Sequence, residues 1–371
     1  MGGAPLTERP TVAAIDAAAY TIPTEQPEAD GTLEWDSTTL LIVQAHSGTT
    51  TGLGYSYTQP GAAQVVTGKL AGTVTGMDAL NVGAAWAAMW PAVRNYGQTG
   101  LVSTAVSAVD IALWDLKARL LDRPLVDVLD SVHQATPIYG SGGFCNYTDA
   151  QLADQLTGWV QAGIPRVKMK TGRDPGRDRA RLAAARAAIG DDVELYADAN
   201  GAFGRAQALH WAEVYRDYGV RWYEEPVSSD DLAGLRFVRD RAPGGLDVAA
   251  GEYGWNLPYF QRMLDTEAVS CLQADVTRCG GISGFLRVAA LCDARCIDLS
   301  AHCAPQISAQ TSTAAWHLRH LEYFHDHDRI EHLAFDGCLE PEAGGVLRPD
   351  RSRPGCGLDV RWPDLEQWRV G

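Results

Sequence analysis

The chain reads as an α/β protein, a closed barrel of parallel βα units preceded by a smaller α+β domain. Three observations point there. The 371 residues exceed one small domain and suit a barrel of about 250 residues with a companion. From Thr136 onward, short apolar runs alternate with amphipathic helical stretches. Seven consecutive runs then end in a charged residue in the same phase.

The first third has its own texture. Residues 38–44, Thr-Thr-Leu-Leu-Ile-Val-Gln, form a strand-like run. Gly52-Leu53-Gly54-Tyr55-Ser56-Tyr57 reads as a glycine-rich turn into another strand. It lacks the third glycine and helix start of a dinucleotide motif. From Val106 on, Val109, Leu113, Leu116 and Leu120 keep helical spacing until Pro124 ends the run. This part closes near residue 131.

The barrel then unfolds in order. A strand is expected near Gly142, then a helix over 150–162; a strand over 166–170, then a helix over 178–188; a strand over 193–197, then a helix over 206–218. Further strands follow at 221–223, 248–250, 270–274, 298–301 and 320–324, most with a helix behind them. Eight such units imply closure rather than an open sheet. The pair Gly280-Gly281 opens a helix, either as a phosphate cradle or as a plain strand-to-helix turn.

Charge narrows the function classes. With 46 acidic against 31 basic residues, the formal charge is −15, which repels nucleic acid and anionic lipid. No run reaches the roughly 18 apolar residues of a membrane span. The first twenty residues lack a signal-peptide core, and Leu6 stands where a myristoylation motif needs Ser or Thr. A cytoplasmic protein is the expectation. The eight cysteines form no CxxC pair and match no zinc spacing, and Cys292 and Cys296 read as packing.

Lys168 and Lys170 end the second barrel strand, Asp198 and Asn200 the third, Glu224 the fourth, Glu252 the fifth, Asp275 the sixth, His302 the seventh and Glu322 the eighth. From Lys170 the spacings are 28, 26, 28, 23, 27 and 20 residues, each one βα unit. All would face the carboxyl-end mouth of the barrel. Taken singly, an acid at a strand end is a turn residue or helix cap, and a lone histidine is a core group. The shared phase across seven units overrides that. His325-Asp326-His327 falls outside the phase and reads as a solvated loop.

Asp198, Glu224 and Glu252 are hard oxygen donors from neighbouring strands and suit Mg²⁺, or Mn²⁺, rather than zinc or copper. Lys170 and His302 approach from different sides as bases, and Asp275 fixes the imidazole tautomer. Lys168 and the cation should depress the Lys170 pKa towards neutrality. A carboxylate held by a metal between two bases describes proton abstraction α to a carboxylate, through an enediolate. Glu322, if protonated, donates to an enediolate oxygen, and Asn200 hydrogen-bonds nearby. The metal and the two lysines are expected to reverse the sign of the field at the mouth, so that an anionic substrate is tolerated.

These residues resemble the enolase superfamily, specifically its mandelate racemase subgroup. The matching motifs are Val167-Lys168-Met169-Lys170, Asp198-Ala199-Asn200, Trp222-Tyr223-Glu224-Glu225-Pro226, Gly251-Glu252, the run Asp275-Val276-Thr277-Arg278-Cys279-Gly280-Gly281, His302 and Glu322. The stretch 107–117 resembles the helix before the family's barrel, and Pro354-Gly355-Cys356-Gly357-Leu358 its closing turn. The resemblance implies a modified TIM barrel, (β/α)7β, over 132–325, with an N-terminal α+β capping domain over 1–131 that residues 326–371 complete. It also implies one Mg²⁺ on Asp198, Glu224 and Glu252, an acid/base pair of Lys170 and the His302–Asp275 dyad, and Lys168 tuning Lys170. Muconate cycloisomerases and dipeptide epimerases fit less well, because they usually carry a lysine where this chain has Asp275.

Substrate choice in this family is set by cap loops, here about residues 22–35 and 47–59, with Trp35, Tyr55 and Tyr57 as expected contacts. Dehydration of a sugar acid to a 2-keto-3-deoxy acid is the leading expectation. A racemase or epimerase working on the same two bases is the alternative. A barrel kept only as a binding or structural protein predicts a broken site, whereas all seven strand ends carry competent groups. The expected partners are a small carboxylate substrate and further copies of the chain, in a homo-oligomer.

Overall fold

The computed structural model describes residues 9–370. Its first unit is an antiparallel sheet of β1 (Ala14–Ala29), β2 (Glu34–Ser47) and β3 (Thr50–Thr58). Ser47 pairs with Thr50 across a tight hairpin that Gly48 opens with φ +57°. The short strand Arg369–Val370 pairs with Tyr20 and Ala19 of β1, so the chain's end returns to this sheet.

The helix Leu101–Leu120 lies across the sheet, and β3 approaches it at Gly52 and Gly54. A Cβ on Gly54 would overlap the Ala108 carbonyl oxygen and the Ala112 nitrogen. The two glycines are therefore strand residues that permit close helix–sheet packing, not the turn that their spacing suggested.

Eight parallel strands follow: β4 (Thr136–Gly142), β5 (Arg166–Lys170), β6 (Glu194–Asp198), β7 (Val220–Glu224), β8 (Asp247–Ala250), β9 (Cys271–Ala274), β10 (Asp298–Ala301) and β11 (Leu318–Phe324). β11 pairs in parallel with both β10 and β4, which closes the barrel. A helix follows each strand, for example Asp149–Gln161 after β4 and Pro175–Ile189 after β5. The first is held by a capping box of Thr148 and Gln151.

The two-residue period of a strand builds the interior in layers. Tyr139, Tyr196 and Trp222 meet His320 inside the barrel, with Tyr196 and Trp222 stacked at 5.7 Å and Tyr139 4.7 Å from His320. Two residues further along the same strands stand Ser141, Asp198, Glu224 and Glu322. In register, Lys170 pairs with Asp198 and Asp198 with Glu224, so the charged layer lies directly above an aromatic floor.

The helix behind β11, His325–Ala334, is bound to the first domain. Glu331 accepts from the Tyr55 hydroxyl at 2.8 Å, Thr38 donates to Asp326 at 2.5 Å, and Arg329 donates to the Pro23 carbonyl at 2.8 Å. Asp326 and His327 are buried, so the His325-Asp326-His327 run is helix and interface rather than solvated loop. Gly280-Gly281 also has a structural occupation. Gly280 donates to Ser107, and the start of helix Gly281–Arg295 donates through Ser283 to Asp110 at 2.8 Å. A carboxylate already occupies the place that a phosphate would take.

Candidate active site

The strand-end residues gather in two groups, one around Lys168 and one around His302, with Glu322 between them. Lys168 is wholly buried, and its Nζ lies 2.7 Å from both Glu224 oxygens, 2.6 Å from Glu322 Oε1 and 3.3 Å from Asp198 Oδ2. Lys170 Nζ lies 2.6 Å from Asp198 Oδ2. Asn200, at φ +45°, turns its backbone N–H onto Asp198 Oδ1 at 2.9 Å. Gly251, at φ +138°, sits against the Gln273 carbonyl, and a Cβ there would overlap that oxygen. Only glycine lets the chain turn so close to β9 and deliver Glu252 to the mouth.

On the other side, His302 Nδ1 is 2.8 Å from Asp275 Oδ2, while its Nε2 is 2.7 Å from Glu252 and 3.2 Å from Glu322 Oε2. Asp275 is itself fixed by the Thr277 backbone N–H and hydroxyl, both at 2.7 Å, and by Arg278 at 3.4 Å. Asp275 thus holds one ring nitrogen and leaves Nε2 facing the site.

The electrostatics follow from six buried carboxylates, Asp198, Glu224, Glu225, Glu252, Asp275 and Glu322, sharing the space with Lys168, Lys170, Arg278 and His302. Burial and the Asp198 charge push the Glu224 carboxyl up to about 7. Burial, together with Glu252, pushes Glu225 well above the usual range, and its Oε1 has no hydrogen-bond partner. Burial works against Glu322 as an ion, yet Lys168 and His302 hold it well below the usual carboxylate range. Both neighbours thus favour the ionised form of Glu322, which weighs against its expected part as a protonated donor. Burial alone would lower Lys170, but the Asp198 carboxylate overrides it, and the net shift is upward rather than towards neutrality. For His302, burial is likewise outweighed, by Cys303, Glu322 and Glu252, so the imidazole rises well above its ordinary value.

Above these groups lies a cavity of about 450 Å³, the size of a small-molecule site. Lys170, His302, Glu252, Glu322 and Asn200 reach it from the barrel, and Trp35 and Tyr57 from the first domain. Lys168, Asp198, Glu224 and Asp275 lie beneath its surface. Trp35 is oriented by Glu28, which accepts from its indole N–H at 3.0 Å, and stands edge-on to Phe144. Tyr57 stacks on His327 with ring centroids 3.4 Å apart, and burial lowers that imidazole to about 3.

Tyr55 does not reach the cavity. Its hydroxyl is used up by Glu331 and by the Ile307 backbone N–H, at 2.8 and 3.1 Å. The expected loop 47–59 is mostly β3, so its side chains are set by strand alternation. Sequence reasoning also missed Cys303, His327 and Tyr253 in the lining. Cys303 follows His302 directly, and its signal was hidden because a strand turns neighbouring residues to opposite faces. Burial pushes the Cys303 thiol up to about 12, which favours the protonated thiol.

Comparison with known proteins defines the class. Residues 27–130 match the mandelate racemase / muconate lactonizing enzyme N-terminal domain, and residues 151–365 match the enolase C-terminal domain-like family. The chain belongs to the mandelate racemase branch of the enolase superfamily.

Among curated relatives, it is 32% identical to the 3,6-anhydro-alpha-L-galactonate cycloisomerase of Streptomyces coelicolor over 331 residues, 86% of this chain and 88% of that protein. It is 28% identical to the L-talarate/galactarate dehydratase of Salmonella typhimurium over 85% of this chain and 79% of that one. Among solved structures, a mandelate racemase/muconate lactonizing enzyme-like protein from Rubrobacter xylanophilus is 54% identical, with a TM-score of 0.95 over 97% of this chain and all of that one. A racemase from Streptomyces coelicolor A3(2) with bound magnesium is 28% identical, with a TM-score of 0.91 and the same coverage. The family's relatives thus include dehydratases, cycloisomerases and racemases.

Proposed function

We propose that this chain is a Mg²⁺-dependent enzyme that removes the proton α to a carboxylate through an enediolate, and that it dehydrates a sugar acid to a 2-keto-3-deoxy acid. The observation that carries this reading is the arrival of Lys170 and the Asp275-held His302 at one cavity, above a surplus of buried carboxylates.

The donor set fits a hard divalent cation. Asp198, Glu224 and Glu252 are buried oxygen donors, and the crowding that raises Glu224 and leaves a Glu225 oxygen unpartnered is what such a charge relieves. When bound, Mg²⁺ would supply charge stabilisation for the substrate carboxylate and the enediolate. The chain's own groups do the rest. Lys168 holds Glu224 and Glu322 in place. With Asp198 taken up by such a cation, burial and Lys168 become the largest influences on Lys170, and both favour loss of its proton. His302 Nε2 exchanges a proton on the His302 side of the cavity, and Asn200 and Thr38 offer polar atoms to substrate hydroxyls.

Dehydration is supported by the dehydratase among the relatives and by a cavity of sugar-acid size that Lys170, Asn200, Glu252, His302 and Glu322 reach. The two-base arrangement, and a relative described as a racemase, favour epimerisation as the second reading. Incubation with Mg²⁺ and a library of mono- and diacid sugars in D₂O separates them. Appearance of a 2-keto acid supports dehydration, and deuterium at the α-carbon without keto acid supports epimerisation. Neither product from any hydroxy acid would refute the substrate class.

A further inference from the structure

We propose that His302, Cys303 and Glu322 form a second cation site, for a borderline-soft transition-metal ion such as Zn²⁺, separate from the hard-oxygen set. Among the described residues, this is the trio of His, Cys and carboxylate donors whose ligand atoms all lie within 4.8 Å of one another. The donor triangle measures 3.4 Å from His302 Nε2 to Cys303 Sγ, 3.5 Å from Sγ to Glu322 Oε2, and 3.2 Å from Nε2 to Oε2. A tetrahedral zinc ion with bonds of about 2.0–2.3 Å spaces neighbouring donors roughly 3.3–3.6 Å apart. The three atoms therefore already form one face of the tetrahedron. All three residues line the cavity, which leaves the fourth position to water or a ligand oxygen.

Each donor is prepared by its surroundings. His302 Nδ1 is committed to Asp275, the carboxylate–imidazole arrangement that orients metal-binding histidines. Glu322 divides its oxygens, Oε1 going to Lys168 and Ser141 and Oε2 to this triangle. Left-handed backbone at Cys303 (φ +51°) and Ala304 (φ +45°) departs from strand alternation, and the thiol lies on the same side as the imidazole. Glu252, 2.7 Å from Nε2, is the competing partner. A hard cation taken up by Glu252 removes that partner from Nε2 and leaves it to Cys303 and Glu322, so the site is tested with Mg²⁺ present. Capture breaks the S–H bond of Cys303 and the Nε2–H bond of the His302 imidazolium, forms a metal–sulfur and a metal–nitrogen bond, and releases two protons to solvent per ion. Its effect on turnover, the occupation of the Nε2 lone pair, rests on the acid/base reading above; the binding itself does not.

The test uses Co²⁺ as a coloured stand-in for zinc, titrated under reducing conditions into the full chain saturated with Mg²⁺. One equivalent should give thiolate-to-cobalt charge-transfer absorption and tetrahedral visible bands, both displaced by Zn²⁺. Cys303→Ser, shown folded by circular dichroism, should lose the charge-transfer band, and His302→Asn should bind Co²⁺ at least tenfold more weakly. No band in the wild-type chain, or a band that persists in folded Cys303→Ser and so belongs to another thiol, would overturn the assignment. Should Cys303→Ser not fold, undiminished affinity in His302→Asn overturns it equally. Absorption is read without turnover. Turnover without the band defeats this proposal alone, and the band without turnover on any acid defeats only the function proposed above.

Discussion

His302 owes its usefulness to Asp275. The carboxylate accepts from Nδ1 at 2.8 Å and is itself pinned by Thr277 and Arg278, so the ring has one orientation and one available nitrogen. Asp275→Asn keeps the shape but offers an amide to Nδ1 and loses the charge that supports the imidazolium. Steady-state kinetics on the accepted substrate should show kcat lower by about 10²–10⁴-fold, with KM changed far less. An unchanged kcat would remove Asp275 from the dyad. Lys168, Lys170, Asp198, Glu224, Glu252, His302 and Glu322 were all readable from the sequence, because a strand end in a parallel barrel is a fixed place. Their protonation was not. Glu322 is biased towards its anion and Lys170 strongly held because each sits within about 3 Å of a partner from another strand, a distance that no sequence spacing reports.

Among the elements, β5 and β10 fall on the expected residues, and the other barrel strands differ by one or two at their ends. The misreadings lie where burial depends on distant chain. Gly52 and Gly54 look like a turn until helix Leu101–Leu120 is laid on β3. His325-Asp326-His327 looks like a polar loop until Tyr55, 276 residues before Glu331, binds the helix that it begins. Gly54→Ala should therefore destabilise the chain by about 1–3 kcal/mol in urea unfolding. A loss below the error of that measurement would contradict the packing.

The Tyr55–Glu331 contact also carries a pH signature. Burial pushes the Glu331 carboxyl up to about 8, although hydrogen bonds from Gln306 and Tyr55 pull the other way. A carboxyl raised on folding contributes its stability fully below its unfolded pKa and loses it as pH rises through the folded value. Wild-type stability relative to Glu331→Gln should thus fall by about 1 kcal/mol per pH unit between roughly pH 5 and 8. A pH-independent difference between the two, by thermal or urea unfolding, would show Glu331 ionised throughout.

Taken whole, the molecule places an acidic chain, −15 in formal charge, around a cavity for which a carboxylate substrate is proposed. Lys168 and Lys170 do not by themselves reverse the field at the mouth, because both are spent on carboxylates of the barrel. In the proposed function, reversal falls to a divalent cation on the surplus acids, which would couple substrate binding to metal binding. Among the described residues, no helix is long and apolar enough to cross a membrane. Cap and barrel each supply part of the cavity wall, Trp35 and Tyr57 from one and Lys170 and His302 from the other. The proposed function depends on two bases, Lys170 of β5 and His302 just after β10, serving one substrate carbon. It is tested by α-hydrogen exchange in D₂O on both configurations of an accepted acid, in Lys170→Ala and in His302→Asn. Each variant should lose exchange from one configuration and keep it from the other, with the two variants opposite in preference. Wild-type exchange of both configurations in either variant would contradict the two-base site.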